Sequence, residues 1–200
     1  MKLYYTKGAC SLVVRIIINE LNLNADFESV NLSTKKTASG QNFLGINQKG
    51  AVPVLEINPK EILTENAVIL QYLADTTKAT QLLPAIGDFN RYRVLEWLNY
   101  VATDLHKGIG ILFNPAVTSE LREQLFIPLL KSKLTFVNNH LQDNRYLAGE
   151  SFTLPDAYLF VMLLWASYFN LDLKEWGHLA RYFEELKSRL SIKKALEQEG

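Results

Sequence analysis

The sequence predicts an α/β first half joined to an all-α second half, on three observations. Up to about residue 80, short apolar runs alternate with amphipathic ones. From Thr76 to Asp88 the chain reads as a linker, carrying Thr76-Thr77, Pro84 and Gly87. Beyond it apolar residues recur only at helical spacing, with no strand pattern. We therefore expect one domain over residues 1–80 and a second, all-helical domain over 81–200.

Leu3-Tyr4-Tyr5 reads as a buried strand. A glycine turn, Lys7-Gly8-Ala9, then leads into Cys10-Ser11-Leu12 and a helix expected from Cys10 to Leu23. Phe27 to Leu32, with Val30 and Leu32 at period two, is a second strand. Strand, helix, strand implies a parallel pair with a right-handed crossover. Ser33 to Gln48 is polar and loop-like, with a weak helical patch at Phe43-Leu44. Val54 to Ile57 and Ile62-Leu63 form a hairpin across the turn Asn58-Pro59-Lys60-Glu61. Pro53 has no N–H for a ladder and belongs at the first position of its strand. The isomer of Val52-Pro53 is left open by the sequence. Thr64 is the expected N-cap of the next helix, with Glu65 in its first turn and Val68, Ile69, Tyr72 and Leu73 as its stripe. The order β-α-β-α-β-β-α gives a sheet of about four strands.

In the second half, Asp88 caps a long helix reaching about Lys107, where Gly108 and Gly110 disturb it. Thr118-Ser119 starts another, running to about His140 with a kink at Pro128. Thr153-Leu154-Pro155-Asp156 resembles a capping box with proline in the first turn, followed by a very apolar helix from Ala157 to Tyr168. Leu179 to Leu190 and Ile192 to Gln198 are two amphipathic pieces closing the chain.

Composition excludes several classes. The hydrophobic fraction is 48% and the charged fraction 21%, ordinary for a globular protein and wrong for a disordered or fibrous one. Lys+Arg and Asp+Glu both number 21, so no charge excess favours nucleic acid or an anionic membrane surface. Lys7 and Arg15 interrupt any secretory apolar core, and the run Ala157–Ala166 is too short for a membrane span. One cysteine permits no internal disulfide, which fits a reducing compartment. A cytoplasmic protein is expected.

That cysteine is Cys10. A thiol at a helix start feels the positive end of the dipole, which favours the thiolate. Equally, a free cysteine in a strand-to-helix turn can be a small buried filler. The residues alone leave both readings open.

Five stretches, in order and spanning nearly the whole chain, carry a resemblance. They are Gly8-Ala9-Cys10-Ser11-Leu12, Asn47-Gln48-Lys49-Gly50-Ala51-Val52-Pro53-Val54-Leu55, Leu63-Thr64-Glu65-Asn66-Ala67-Val68-Ile69, Leu105-His106-Lys107-Gly108, and Leu147 to Tyr158. Together they resemble the bacterial beta class of glutathione S-transferases. That implies a thioredoxin-like first domain and a helical second domain. Departures are Lys7 in place of proline, Val13-Val14-Arg15 in place of Ala-Pro-His, and Asn66 in place of serine.

The resemblance implies a glutathione site built from Ala9, Cys10, Lys35, Val52, Pro53, Glu65, Asn66, Asn99, Thr103, Asp104, Leu105, His106 and Lys107. Cys10 and His106 are the expected catalytic pair. Glu65 and Asn66 at a helix N-terminus suit the γ-glutamyl group. The Val52 backbone would pair with the cysteinyl moiety. Lys35, with Lys36 as its neighbour, would take the glycine carboxylate. Asn99, Thr103, His106 and Lys107 share a helix face by spacing, and Asp104 would reach the partner's glutathione in a homodimer. The hydrophobic electrophile is expected over Cys10, near Leu112, Phe113 and Tyr168. No metal and no cofactor is expected; glutathione is the co-substrate.

Three functions follow as expectations. The first is conjugation of glutathione to small hydrophobic electrophiles. The second is thiol–disulfide exchange or peroxide reduction through a Cys10 mixed disulfide. The third is a non-enzymatic binding protein of the same fold.

Overall fold

The computed structural model describes residues 1–200. The chain forms two compact units, Met1–Ala79 together with Leu190–Gly200, and Thr80–Arg189. The expected division at residue 80 assigned the end of the chain to the helical half. The structure places it in the first unit instead.

In the first unit, β1 (Lys2–Tyr5) leads through a turn to α1 (Leu12–Glu20), then β2 (Asp26–Asn31), β3 (Lys36–Thr37), β4 (Val54–Asn58), β5 (Glu61–Thr64) and α2 (Asn66–Thr76). The sheet has the order β3-β2-β1-β4-β5. β1 runs parallel to β2, with Leu3 opposite Phe27, and antiparallel to β4, with Leu3 opposite Leu55. The parallel pair joined by a helix is as the periodicity predicts. Five strands replace the expected four, because Lys36–Thr37 pairs with β2. The helix expected between β2 and β4 is only a 3₁₀ turn, Phe43–Gly45. Phe43 nevertheless anchors one face of the sheet, packing with Tyr4, Val30, Val52 and Val54.

α1 explains the fate of the chain's end. Leu12 through Ile18 are all buried, apolar apart from Arg15, so the helix is covered around its whole circumference. One sheet face cannot cover such a surface. α9 (Leu190–Glu199) packs along α1 with Ile192 and Ala195 fully buried.

The second unit opens with α3 (Phe89–Tyr100), whose N-cap Asp88 accepts from the Asn90 amide at 2.8 Å. A π turn, Val101–Leu105, continues it into α4 (His106–Gly110). The helix thus runs past Gly108 rather than ending there. A side chain at 108 would meet Leu130 Cδ2 at 3.1 Å, so this glycine allows close approach. α5 (Ser119–Leu121), a π turn over Arg122–Phe126, and α6 (Ile127–Asp143) form the next helical run. Its irregularity precedes Pro128, where proline removes a ladder donor and crowds the preceding turn. α7 (Leu154–Tyr168) is the buried core helix, and α8 (Gly177–Lys187) closes the unit. The Thr153 capping box is present: Asp156 accepts from the Thr153 amide at 2.7 Å and from its hydroxyl at 2.8 Å.

Candidate functional site

Cys10 sits in the turn between β1 and α1. The turn closes through Ala9 N–H to Thr6 O, and Gly8 takes φ +71° there. The expected helix start at Cys10 is corrected: α1 begins at Leu12 with Ser11 as N-cap. Ser11 Oγ accepts from the Thr6 amide and donates to the Thr6 carbonyl, each at 3.2 Å, and so ties the turn rather than extending the helix. Cys10 is 8% exposed and in no disulfide, and its Sγ donates to the Val52 carbonyl at 3.4 Å.

Val52-Pro53 is cis, which answers the question the sequence left open. The Val52 amide makes no hydrogen bond within the chain, while its carbonyl takes the Cys10 thiol. Ala9 packs against the Phe43 cluster beside them. Lys35 Nζ donates to Gly50 O at 2.8 Å, which turns its ammonium toward the Val52 loop. Lys36 lies exposed on β3, so the two neighbouring lysines differ in environment.

Thr64 is not the cap of α2. It ends β5, and Glu65 occupies the N-cap position with φ 69° and ψ 117°. A non-glycine residue in that region is strained by about 1–3 kcal/mol. No side chain caps α2, and while the Val68 N–H donates to Glu65 O at 3.1 Å, those of Asn66 and Ala67 are left open to an anion. The Glu65 carboxylate, largely exposed, pairs with Lys49 Nζ, which also donates to Thr64 Oγ1 at 2.8 Å. Asn66 is buried, and its Nδ2 donates to Cys10 O at 3.1 Å while its Oδ1 lies buried without a hydrogen bond. The amide that replaces the class's serine thus ties α2 to the cysteine turn.

The remaining predicted residues belong to the second unit. Asn99 and Thr103 are exposed, and each bonds back to its own helix, at Leu95 O and Asn99 O respectively. Asp104 pairs with Lys133 at 3.0 Å, which together with the Thr103 hydroxyl holds its carboxyl below the usual range. Leu105 is fully buried in the core of this unit, and Lys107 is exposed. His106 is half-buried, and its Nδ1 lies 2.6 Å from the Tyr158 hydroxyl. The Trp165 ring stands edge-on to the imidazole at 5.1 Å. Leu112 is core, whereas Phe113 stacks on Tyr168 at 5.7 Å, and both are well exposed. The predicted residues therefore form two groups, one in each unit.

Sequence reasoning passed over Lys49, Tyr158 and Trp165. The first two lie inside the quoted motifs, but nothing in their spacing names a partner sixteen or fifty-two positions away.

Family models match both units: the glutathione S-transferase N-terminal domain over residues 1–75 and the C-terminal domain over residues 100–189. The chain is 40% identical over 200 residues to the glutathione S-transferase GstA of Escherichia coli O157:H7, covering 100% of this chain and 99% of that one. The chain belongs to the glutathione S-transferase family. A second transferase, GST-4.5 of Xanthomonas campestris, is 35% identical over 208 residues, covering 100% of this chain and 99% of that one. Among solved transferase structures, a ternary complex of the bacterial enzyme BphK superposes with a TM-score of 0.96 at 41% identity over the whole of both chains. The beta-class transferase of Sphingomonas chungbukensis superposes at 0.95 and 35% identity, covering 100% of this chain and 99% of that one. The beta-class resemblance is thus borne out along the entire chain.

Proposed function

We propose that this transferase conjugates the glutathione thiolate to small hydrophobic electrophiles, using a glutathione site centred on the Cys10 turn. The observation that carries the site is the convergence of three groups there: the Cys10 thiol on the Val52 carbonyl, the Asn66 amide on the Cys10 carbonyl, and the uncapped start of α2. The open N–H groups of α2 suit the γ-glutamyl carboxylate, and Glu65 suits its ammonium. The Val52 amide suits the cysteinyl carbonyl. Lys35 suits the glycine carboxylate. In the helical unit, His106 and Lys107 serve the same reaction, with Phe113 and Tyr168 offering aromatic surface to the electrophile. No helix is long and apolar enough to cross a membrane. The lone cysteine fits a cytoplasmic setting, and the family resemblance supports a homodimer, with Asp104 toward the partner's glutathione.

In this reaction the bound glutathione thiol loses its proton, and the thiolate sulfur forms a bond to the electrophilic carbon. An aryl halide releases halide; an activated alkene takes up a proton at the neighbouring carbon. Hydrogen-bond donors around the sulfur lower the cost of the thiolate.

A second reading is favoured by the Cys10–Val52 contact, because the thiol lies at the backbone where the glutathione cysteinyl group is proposed to bind. Cys10 thiolate attacking the glutathione sulfur of a glutathionylated substrate forms a mixed disulfide and expels the substrate thiolate, and a second glutathione thiolate then attacks that disulfide, releasing Cys10 thiolate and oxidised glutathione. Cys10→Ala separates the two. Aryl-halide conjugation retained with thiol exchange lost assigns Cys10 to the second chemistry alone. Loss of both assigns it to the common glutathione site. No glutathione-dependent turnover across a broad electrophile panel in the unmodified protein overturns the proposal.

A further inference from the structure

We propose that Tyr158 is the positioning residue of the imidazole of His106, holding Nδ1 so that Nε2 is the nitrogen presented for chemistry. The inference rests on the role of His106 proposed above. It goes beyond it by naming the group that gives the imidazole one orientation.

The geometry is local to the helical unit. The Tyr158 hydroxyl lies 2.6 Å from His106 Nδ1, a short contact for an oxygen–nitrogen pair. Tyr158 is 2% exposed on the buried helix α7, so its ring is fixed by packing on all sides. His106 is flanked by the Tyr158 ring at 5.6 Å and the Trp165 ring at 5.1 Å, both tilted steeply to the imidazole. Trp165 is itself braced by Phe113 at 4.9 Å. A histidine on an exposed helix face rotates freely about two bonds. This one is held at one ring nitrogen and packed edge-on against two aromatic rings.

The helix contributes as well. His106 is the first residue after the π turn Val101–Leu105. Such turns interrupt the regular α-helical repeat and recur at functional positions. Leu105 and Ile109 keep the helix seated in the core, while His106 faces Tyr158 and Trp165 on α7. With Nδ1 engaged by a buried phenol, which can donate to it or accept from it, the ring orientation is held by that bond and Nε2 is the nitrogen turned to the reaction.

The test compares the unmodified protein, Tyr158→Phe and His106→Ala, with an aryl halide as electrophile. Tyr158→Phe keeps the ring and removes only the hydroxyl. The expected result is a fall in kcat on the order of tenfold, with the KM for glutathione changed less than about twofold. Long-range ¹H–¹⁵N spectra of the unmodified protein should place the His106 Nδ1 resonance at a hydrogen-bonded value, and Tyr158→Phe should move it. A filler role for Tyr158 would move neither kcat selectively nor this resonance. If His106→Ala lowers kcat while Tyr158→Phe leaves it unchanged, the positioning role is overturned and the His106 role stands. If His106→Ala has no effect, both fall. Should Tyr158→Phe fail to fold, the spectrum of the unmodified protein still decides: an Nδ1 resonance at its free value overturns the proposal.

Discussion

The Glu199 carboxylate accepts a hydrogen bond from the Gly8 amide at 2.8 Å, so the last turn of α9 holds the loop that carries Cys10. Glu199 also pairs with Arg15 at 3.6 Å, both side chains being almost fully buried. The Arg15 guanidinium lies over the rings of Tyr5, at 4.3 Å, and Phe27, at 3.9 Å. Lys7 Nζ reaches the Gly200 carbonyl beside it. Two of the departures from the class pattern, Lys7 and Arg15, are therefore partners of the chain's end.

Removing Glu199 leaves Arg15 charged and buried without its counter-ion. Glu199→Ala is expected to cost about 3–5 kcal/mol of stability, read as a lowered urea midpoint. Glu199→Gln keeps an acceptor for Gly8 and should cost less. A Glu199→Ala protein as stable as the parent would mean that Arg15 finds other partners.

Asp156 is fully buried and accepts from four donors: the Leu147 amide, the Thr153 amide and hydroxyl, and the Tyr182 hydroxyl at 2.7 Å. Burial pushes its carboxyl up, while these donors oppose that shift. Asp156→Ala strands all four, and a loss of about 3–5 kcal/mol is expected. Thr153→Val, which removes one hydroxyl of the cap, should cost about 1 kcal/mol. Thermal unfolding of the two variants checks the order; equal losses would contradict it.

Acid stability should depend on Glu28. The Ser39 hydroxyl, then the Thr37 hydroxyl, with help from Lys2, hold its carboxyl down at about 2. A carboxyl lowered on folding contributes stability above its ordinary value near 4.5, and that stability is lost as pH falls toward 2. Glu28→Gln should flatten this acid limb. Urea midpoints measured from pH 6 to pH 2 read the difference, and parallel curves would exclude Glu28 as its source.

Lys49 and Glu65 pair at the start of α2, with side chains 53% and 66% exposed. Such an exposed bridge contributes at most about 1 kcal/mol, so Lys49→Ala should leave unfolding nearly unchanged. Its effect belongs to binding: the KM for glutathione should change by no more than about fivefold and become less sensitive to salt. A large drop in kcat at unchanged KM would place Lys49 elsewhere in the reaction.

Much of this was legible because periodicity and capping are local. Asp88 and the Thr153–Asp156 box announce their helices by residue type, and both cap as read. The strand pair around Cys10 follows from short apolar runs. What escaped is long-range or conformational. Thr64 looks like a cap by composition, yet the chain bends at Glu65 through a left-handed φ that no propensity favours. Asn66 reads as a site residue, and only the fold shows its amide spent on the Cys10 carbonyl. The π turn before His106 adds no residue type that would reveal it. The end of the chain was misassigned because α9 is amphipathic by any reading, and amphipathicity does not say which neighbour it covers.

The seating of α9 on α1 makes the first unit discontinuous along the polypeptide. A ribosome releases Met1–Ala79 long before Leu190–Gly200 exists. During that interval the apolar flank of α1 lacks its cover, and the loop carrying Cys10 lacks its clasp. The helical unit, contiguous from Thr80 to Arg189, has no such wait. The order of synthesis thus leaves the Cys10 turn waiting for Glu199, its clasp, until the last residues of α9 are made.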